Sequence, residues 1–214
     1  MFDLAPEYWE RIGQGVVMTL WLTLASWLIA LALGILLGVM RSAPLGFVRS
    51  IAAGYTEFFR NVPLLTVLFF IYFGVPNTGI VINAVNSAII GLGLYTAAYV
   101  GEVVRAGLNT VSKGNIEAAR SLGLTFLQSM RYVQLPQAVR AAIPPMGTLL
   151  IALLKNTSLA STVTVGELLF QSSFVQDRTF NPDVLLIAGL VYLALTLPLG
   201  LVVNAVERRW AIAR

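Results

Sequence analysis

The chain offers little for bond-making chemistry. It has no cysteine and no histidine. That removes disulfides, thiolate nucleophiles, imidazole bases and nearly all zinc chemistry. The ionisable groups that sit inside apolar stretches are Glu102 and Lys155. Such groups cost roughly 2.5–3.5 kcal/mol at a bilayer centre, so each needs a reason to be there. Tyr95, Tyr99 and Glu102 are spaced i, i+4 and i+7, which is one face of a helix. Lys155, Ser158 and Thr162 are spaced i, i+3 and i+7, again one face, flanked by Asn156 and Thr157. Two readings stay open. The faces line a polar path, or they satisfy one another structurally, with Glu102 paired to Arg105 or Lys155, and Lys155 otherwise snorkelling. Ser158 with Lys155 resembles a hydrolytic dyad only superficially, because no oxyanion site accompanies it. A Gly-x-x-x-x-Gly-Lys-Ser/Thr phosphate loop is missing, so nucleotide chemistry through that motif is excluded.

These residues must be held by a membrane. Of the 214 residues, 57% are hydrophobic and 11% charged, against about 25% charged in soluble domains. Mean hydropathy is +0.81. A net charge of +4 and a pI near 9.7 read as cytoplasmic-side charges of a membrane protein rather than as a nucleic-acid footprint.

Gaps between charges mark the spans. Between Arg11 and Arg41 lie 29 uncharged residues, and between Arg60 and Glu102 lie 41. A span needs about 20, so the longer gap holds two, broken at the turn formers Gly74-Val75-Pro76-Asn77-Thr78-Gly79. Five spans are expected, at 16–40, 58–75, 83–106, 142–163 and 184–205, in a single membrane domain covering 1–214. The acidic flank and long apolar run of the first segment read as a span, not a cleaved signal. Placing the C-terminus inside puts Arg41, Arg49, Arg105, Lys113, Arg120, Arg131, Arg140, Arg208, Arg209 and Arg214 in the cytoplasm and leaves Arg11 and Arg178 outside. That asymmetry predicts an external N-terminus. The small pair Gly34 and Gly38, with Gly91 and Gly93, reads as close helix packing. Pro144, Pro145 and Pro198 read as bends.

The segment 107–140 is the one sizeable cytoplasmic element. It predicts two short helices. Ser112 caps Lys113 to Leu122, with Gly123 as the stop. Thr125 caps Phe126 to Leu135, which ends at Pro136.

Glu117-Ala118-Ala119, Gly123 and Val133-Gln134-Leu135-Pro136 resemble the EAA loop of permease subunits of ATP-binding-cassette importers, with Val133 where the family has Ile. Phe59-Arg60-Asn61-Val62-Pro63-Leu64-Leu65, Ala98-Tyr99-Val100-Gly101-Glu102-Val103-Val104-Arg105 and Lys155-Asn156-Thr157-Ser158-Leu159 are similar to the polar amino acid branch. The resemblance runs from about residue 15 to the C-terminus. It departs at Asn61-Val62, where the branch has Gly-Thr, and at Gly101, where it has Ala.

That resemblance implies an all-α integral membrane protein of the type I importer permease fold, with five spans and a cytoplasmic coupling helix. It implies a bacterial inner-membrane location and a non-enzymatic role. The chain would need no cofactor, since ATP and magnesium would belong to the partner ATPase. Partners would be a second permease, identical or different, two ATPase subunits and an extracytoplasmic binding protein. Glu117, Ala118, Ala119 and Gly123 would couple to the ATPase. Tyr95, Tyr99, Glu102, Lys155, Asn156, Thr157 and Ser158 are the candidates for a substrate path, in which Glu102 and Lys155 would answer the two charges of a zwitterionic amino acid. The external segment 164–183 is the candidate contact for the binding protein. The competing expectation is an ATP-independent secondary transporter or channel.

Overall fold

The computed structural model describes residues 4–43 and 45–210, and every regular element among them is helical. Lipid gives the backbone no hydrogen-bond partners, so helices that satisfy themselves are the available solution for an apolar chain. Helix α1 (Pro6–Arg41) starts with proline in its first turn, where a missing N–H costs nothing, and carries Glu7 near its N-terminus and Arg41 near its C-terminus. Helix α4 (Ala84–Asn109) is capped by Asn83, whose side chain accepts the Asn86 N–H at 2.8 Å. These two helices form the most extensive packed pair in the molecule. Gly34 and Gly38 make it possible. A Cβ added at Gly34 would fall 2.5 Å from Val100 Cβ, and one at Gly38 would fall 2.5 Å from Val104 Cβ. The small-residue spacing therefore serves an approach within the chain.

The expected second span, 58–75, is not one straight helix. Helix α2 (Gly46–Asn61) and α3 (Leu64–Phe69, continued by a π turn to Gly74 and a 3-10 turn to Thr78) meet at a 103° bend. Pro63 accounts for it. Its ring disfavours helical geometry in the preceding residue, and Val62 sits extended at φ −98°, ψ 134°. The expected break at 74–79 lies at the other end of α3, where Gly79 takes φ +89°.

The segment 107–140 follows the capping expectations and then departs from them. Ser112 accepts the Asn115 N–H at 3.2 Å and starts α5 (Lys113–Ser121). Gly123 at φ +77° closes it, a backbone shape that side chains resist. Thr125 and Gln128 cap each other reciprocally ahead of α6 (Phe126–Ser129). The chain does not stop at Pro136. A π turn (Met130–Gln134) leads directly into α7 (Leu135–Asn156), and the Leu135 N–H reaches back to Met130. Proline is tolerated in the first turn of the new stretch, and the wider turn ahead of it absorbs the misfit. The expected start of span four at 142 thus lies well inside a helix, as do Pro144 and Pro145. Helix α7 tightens into a 3-10 run (Thr157–Val163).

The segment 164–183 contains an unexpected helix, α8 (Leu168–Thr179), before α9 (Asp183–Trp210). Two buried clusters result. Leu22, Leu68, Leu92, Leu153 and Val163 join α1, α3, α4 and the end of α7. Ile12, Leu168, Val175, Val184 and Ala188 join α1, α8 and α9. The outer faces stay apolar: Leu186, Leu190, Leu193 and Leu197 of α9 are all exposed at helical spacing. Such a stripe suits hydrocarbon rather than water. The described residues hold four helices long and apolar enough to span, or five if α2 and α3 together make one.

Candidate functional site

The α4 face expected from the spacing is assembled. The Tyr95 and Tyr99 hydroxyls are 3.0 Å apart and their rings 5.2 Å. The Arg60 guanidinium carbon stands 6.0 Å from the Tyr99 ring centre. One helical step nearer the end of α4, Glu102 is gripped from two sides. Arg41 at the end of α1 bonds one carboxylate oxygen, and Arg105 donates to the other at 2.9 and 3.3 Å. The pairing with Arg105 was legible from the spacing. Arg41, 61 positions away, was not, and entered the sequence reading only as a cytoplasmic charge.

Glu102 and Lys155 do not meet. Lys155 is exposed and has no ion-pair partner among the described residues. Its neighbours are tied to their own backbone: Thr157 donates to the Leu154 carbonyl at 2.7 Å and Ser158 to that of Lys155 at 2.8 Å. Thr157 is buried, while Asn156 and Ser158 are half-buried.

The four residues of the expected coupling helix divide between two faces. Glu117, Ala118 and Gly123 are exposed, whereas Ala119 is 3% exposed and packs inward. Helix α5 is further pinned by a 3.3 Å bond from Asn115 to Gln137 on α7. The bond ties α5 directly to the first turn of α7.

Glu167 is a site the charge count placed merely outside. Its side chain is fully buried. The carboxylate caps α8 by accepting the Leu169 N–H at 2.9 Å and the Phe170 N–H at 2.7 Å, and accepts the Tyr192 hydroxyl of α9 at 2.6 Å. The Leu168 N–H donates to Thr19 Oγ1 of α1 at 3.1 Å. An acidic residue directly before Leu168-Leu169-Phe170 is a cap signal, and that was the available clue. Burial pushes the Glu167 carboxyl above its usual range, although the three donated hydrogen bonds pull the other way. Raising a carboxyl pKa on folding means the folded state holds its proton longer. Its contribution is then most favourable below the unfolded pKa and declines as pH rises through the folded one. Thermal stability is accordingly expected to fall as pH rises above the ordinary glutamate range, and Glu167→Gln is expected to flatten that slope. A slope identical in the two proteins, measured by melting in detergent, would contradict this assignment.

The profile described as the inner membrane component of binding-protein-dependent transport systems matches residues 30–212. The chain belongs to that family. A probable glutamine ABC transporter permease protein, GlnM, of Bacillus subtilis (strain 168) is 40% identical over 192 residues, covering 87% of this chain and 89% of the relative. The glutamate transport system permease protein GluC of Corynebacterium efficiens is 38% identical, covering 96% and 98%. Among solved structures, a crystal structure of an amino acid ABC transporter with histidines superimposes with a TM-score of 0.90 at 32% identity, covering 95% of each chain. The chain is thus a multi-pass inner-membrane permease subunit and a transport component rather than an enzyme.

Proposed function

We propose that this permease imports polar amino acids, delivered by an extracytoplasmic binding protein and driven by ATP hydrolysed on separate subunits. The cargo class rests on the amino acid permeases to which the chain is similar along nearly its whole length. The observation that carries the coupling role is the exposure of Glu117, Ala118 and Gly123 on a short helix anchored by Ala119 and Asn115. Small exposed residues let a partner surface approach closely, and anchoring lets a push on α5 reach α7. In this reading the chain pairs with a second permease, α5 seats in a groove of the ATPase, and ATP and magnesium stay on that partner. The cytoplasmic side carries α5, and the N-terminus lies outside.

The substrate path is proposed along Tyr95, Tyr99 and Glu102 on α4 and Lys155, Asn156, Thr157 and Ser158 at the end of α7. The two charges differ in availability. Glu102 already holds two arginines, whereas Lys155 is free to meet a carboxylate.

Reconstitution of the assembled importer in vesicles tests both parts. Uptake is expected only with ATP, ATPase and binding protein together. Uptake at the same rate without ATP would favour the secondary-transporter reading instead. Lys155→Met is expected to raise the substrate concentration for half-maximal uptake at least about tenfold, the scale of one lost charged hydrogen bond. An unchanged value in a properly assembled complex removes Lys155 from the path.

A further inference from the structure

We infer that the end of α1 carries a binding site for an anionic phospholipid. A cavity of about 360 Å³ opens where the ends of α1 and α4 meet α5 and the π turn before α7, and Arg41, Arg105, Lys113, Ser42, Asn109 and Gln134 line it. Three cations and no carboxylate lie along its wall. Glu102 is behind two of them, and it engages one N–H of Arg41 and two of Arg105. A guanidinium has five such donors, so both arginines retain capacity for a phosphate. Lys113 is exposed and makes no ion pair among the described residues.

A second space identifies the anion as a lipid. An apolar groove of about 210 Å³ runs along α1, α4 and α7, lined by Ile35, Val39, Val104, Leu108, Val139 and Met146 among others. Leu108 lines both spaces. Sharing Leu108, the groove adjoins the cationic cavity. Its depth is also right. Arg41 is the first charge after the 29 uncharged residues of α1, which puts the cations at the level where hydrocarbon gives way to headgroups. A phosphate among the cations with an acyl chain in the groove fills both spaces at once, and basic pockets between spanning helices are suited to such headgroups. A soluble anion would leave the groove unused. The inference needs only that the chain spans a membrane, not that it moves a particular cargo.

Native mass spectrometry of the assembled complex, taken from phosphatidylcholine nanodiscs with graded phosphatidylglycerol, tests it. Phosphatidylglycerol is expected to be retained in preference to phosphatidylcholine and not displaced by millimolar inorganic phosphate. Lys113→Gln is expected to lower retention about fivefold, corresponding to about 1 kcal/mol per cation near a membrane surface. Adding Arg105→Gln should bring the loss to roughly thirtyfold by the same arithmetic. Should the double variant fail to assemble, the exposed Lys113 variant alone decides. Val139→Trp, which fills the groove from an exposed position, is expected to lower retention without altering any charge. Equal retention of the two lipids, displacement by inorganic phosphate, or unchanged retention in Lys113→Gln or Val139→Trp would each overturn the inference.

Discussion

Gly34→Ala is expected to destabilise the permease although alanine is the better helix former. In an open helix the exchange gains about 1 kcal/mol. Here the new Cβ would lie 2.5 Å from both Val100 Cβ and Cγ1, and 2.8 Å from the Ala97 carbonyl oxygen. A β-branched side chain has little freedom to move aside, and a helix carbonyl has less. Overpacking of this kind costs typically 1–3 kcal/mol, so the clash outweighs the propensity gain. Gly34→Leu should be worse, with assembled complex largely lost. Gly54 supplies the control. A Cβ there meets nothing within 4 Å, so Gly54→Ala should be neutral or slightly stabilising. Melting temperature and yield in detergent separate the two cases. If Gly34→Ala melts with the wild type, the α1–α4 seam is looser than its geometry requires.

Removing Glu102 is the second large effect. Arg41 and Glu102 have side chains 17% and 19% exposed, so both ions are mostly withdrawn from water, while Arg105 at 36% is nearer the surface. Breaking a buried pair by taking one partner costs about 3–5 kcal/mol, because the survivor is left desolvated and unpaired. The partial exposure moves the expectation toward the lower end, about 3 kcal/mol for Glu102→Gln. Arg41→Gln should cost less, because Arg105 still attends the carboxylate. The double variant should be more stable than the sum of the two losses implies, with a coupling of about 2 kcal/mol. Strict additivity would mean the pair contributes nothing. The same measurements bear on transport. A Glu102 variant that loses uptake only because it fails to assemble says nothing about cargo, and the melt detects that.

Much of the architecture could be read from charge alone. Lipid excludes ions so strongly that the gaps ending at Arg41 and Glu102 outline α1 and α4, and the run after Asp183 outlines α9. Caps were readable too, since Ser112, Thr125 and Gly123 act through neighbours a few positions away. The misreadings share a cause. Pro63 sits in an apolar stretch, and hydropathy averages over the elbow that it makes. Pro136 reads as a stop, but the π turn before it lets the helix continue. Helix α8 was hidden because its burial comes in part from Ile12 and Thr19 of α1, which are distant in sequence. At the candidate site, the Tyr95–Tyr99–Glu102 face followed from helical periodicity. Its electrostatic state did not, because Arg41 arrives by tertiary packing.

The elbow at Val62–Pro63 also bears on the shape of the barrier. Once α2 turns away by 103°, only residues 64–78 continue along the axis of α3. At about 1.5–2 Å of rise per residue this limb is roughly 22–25 Å long, short of a hydrocarbon layer near 30 Å. The limb alone therefore does not bridge that layer, so the backbone groups freed at the elbow depend on the neighbouring helices for cover.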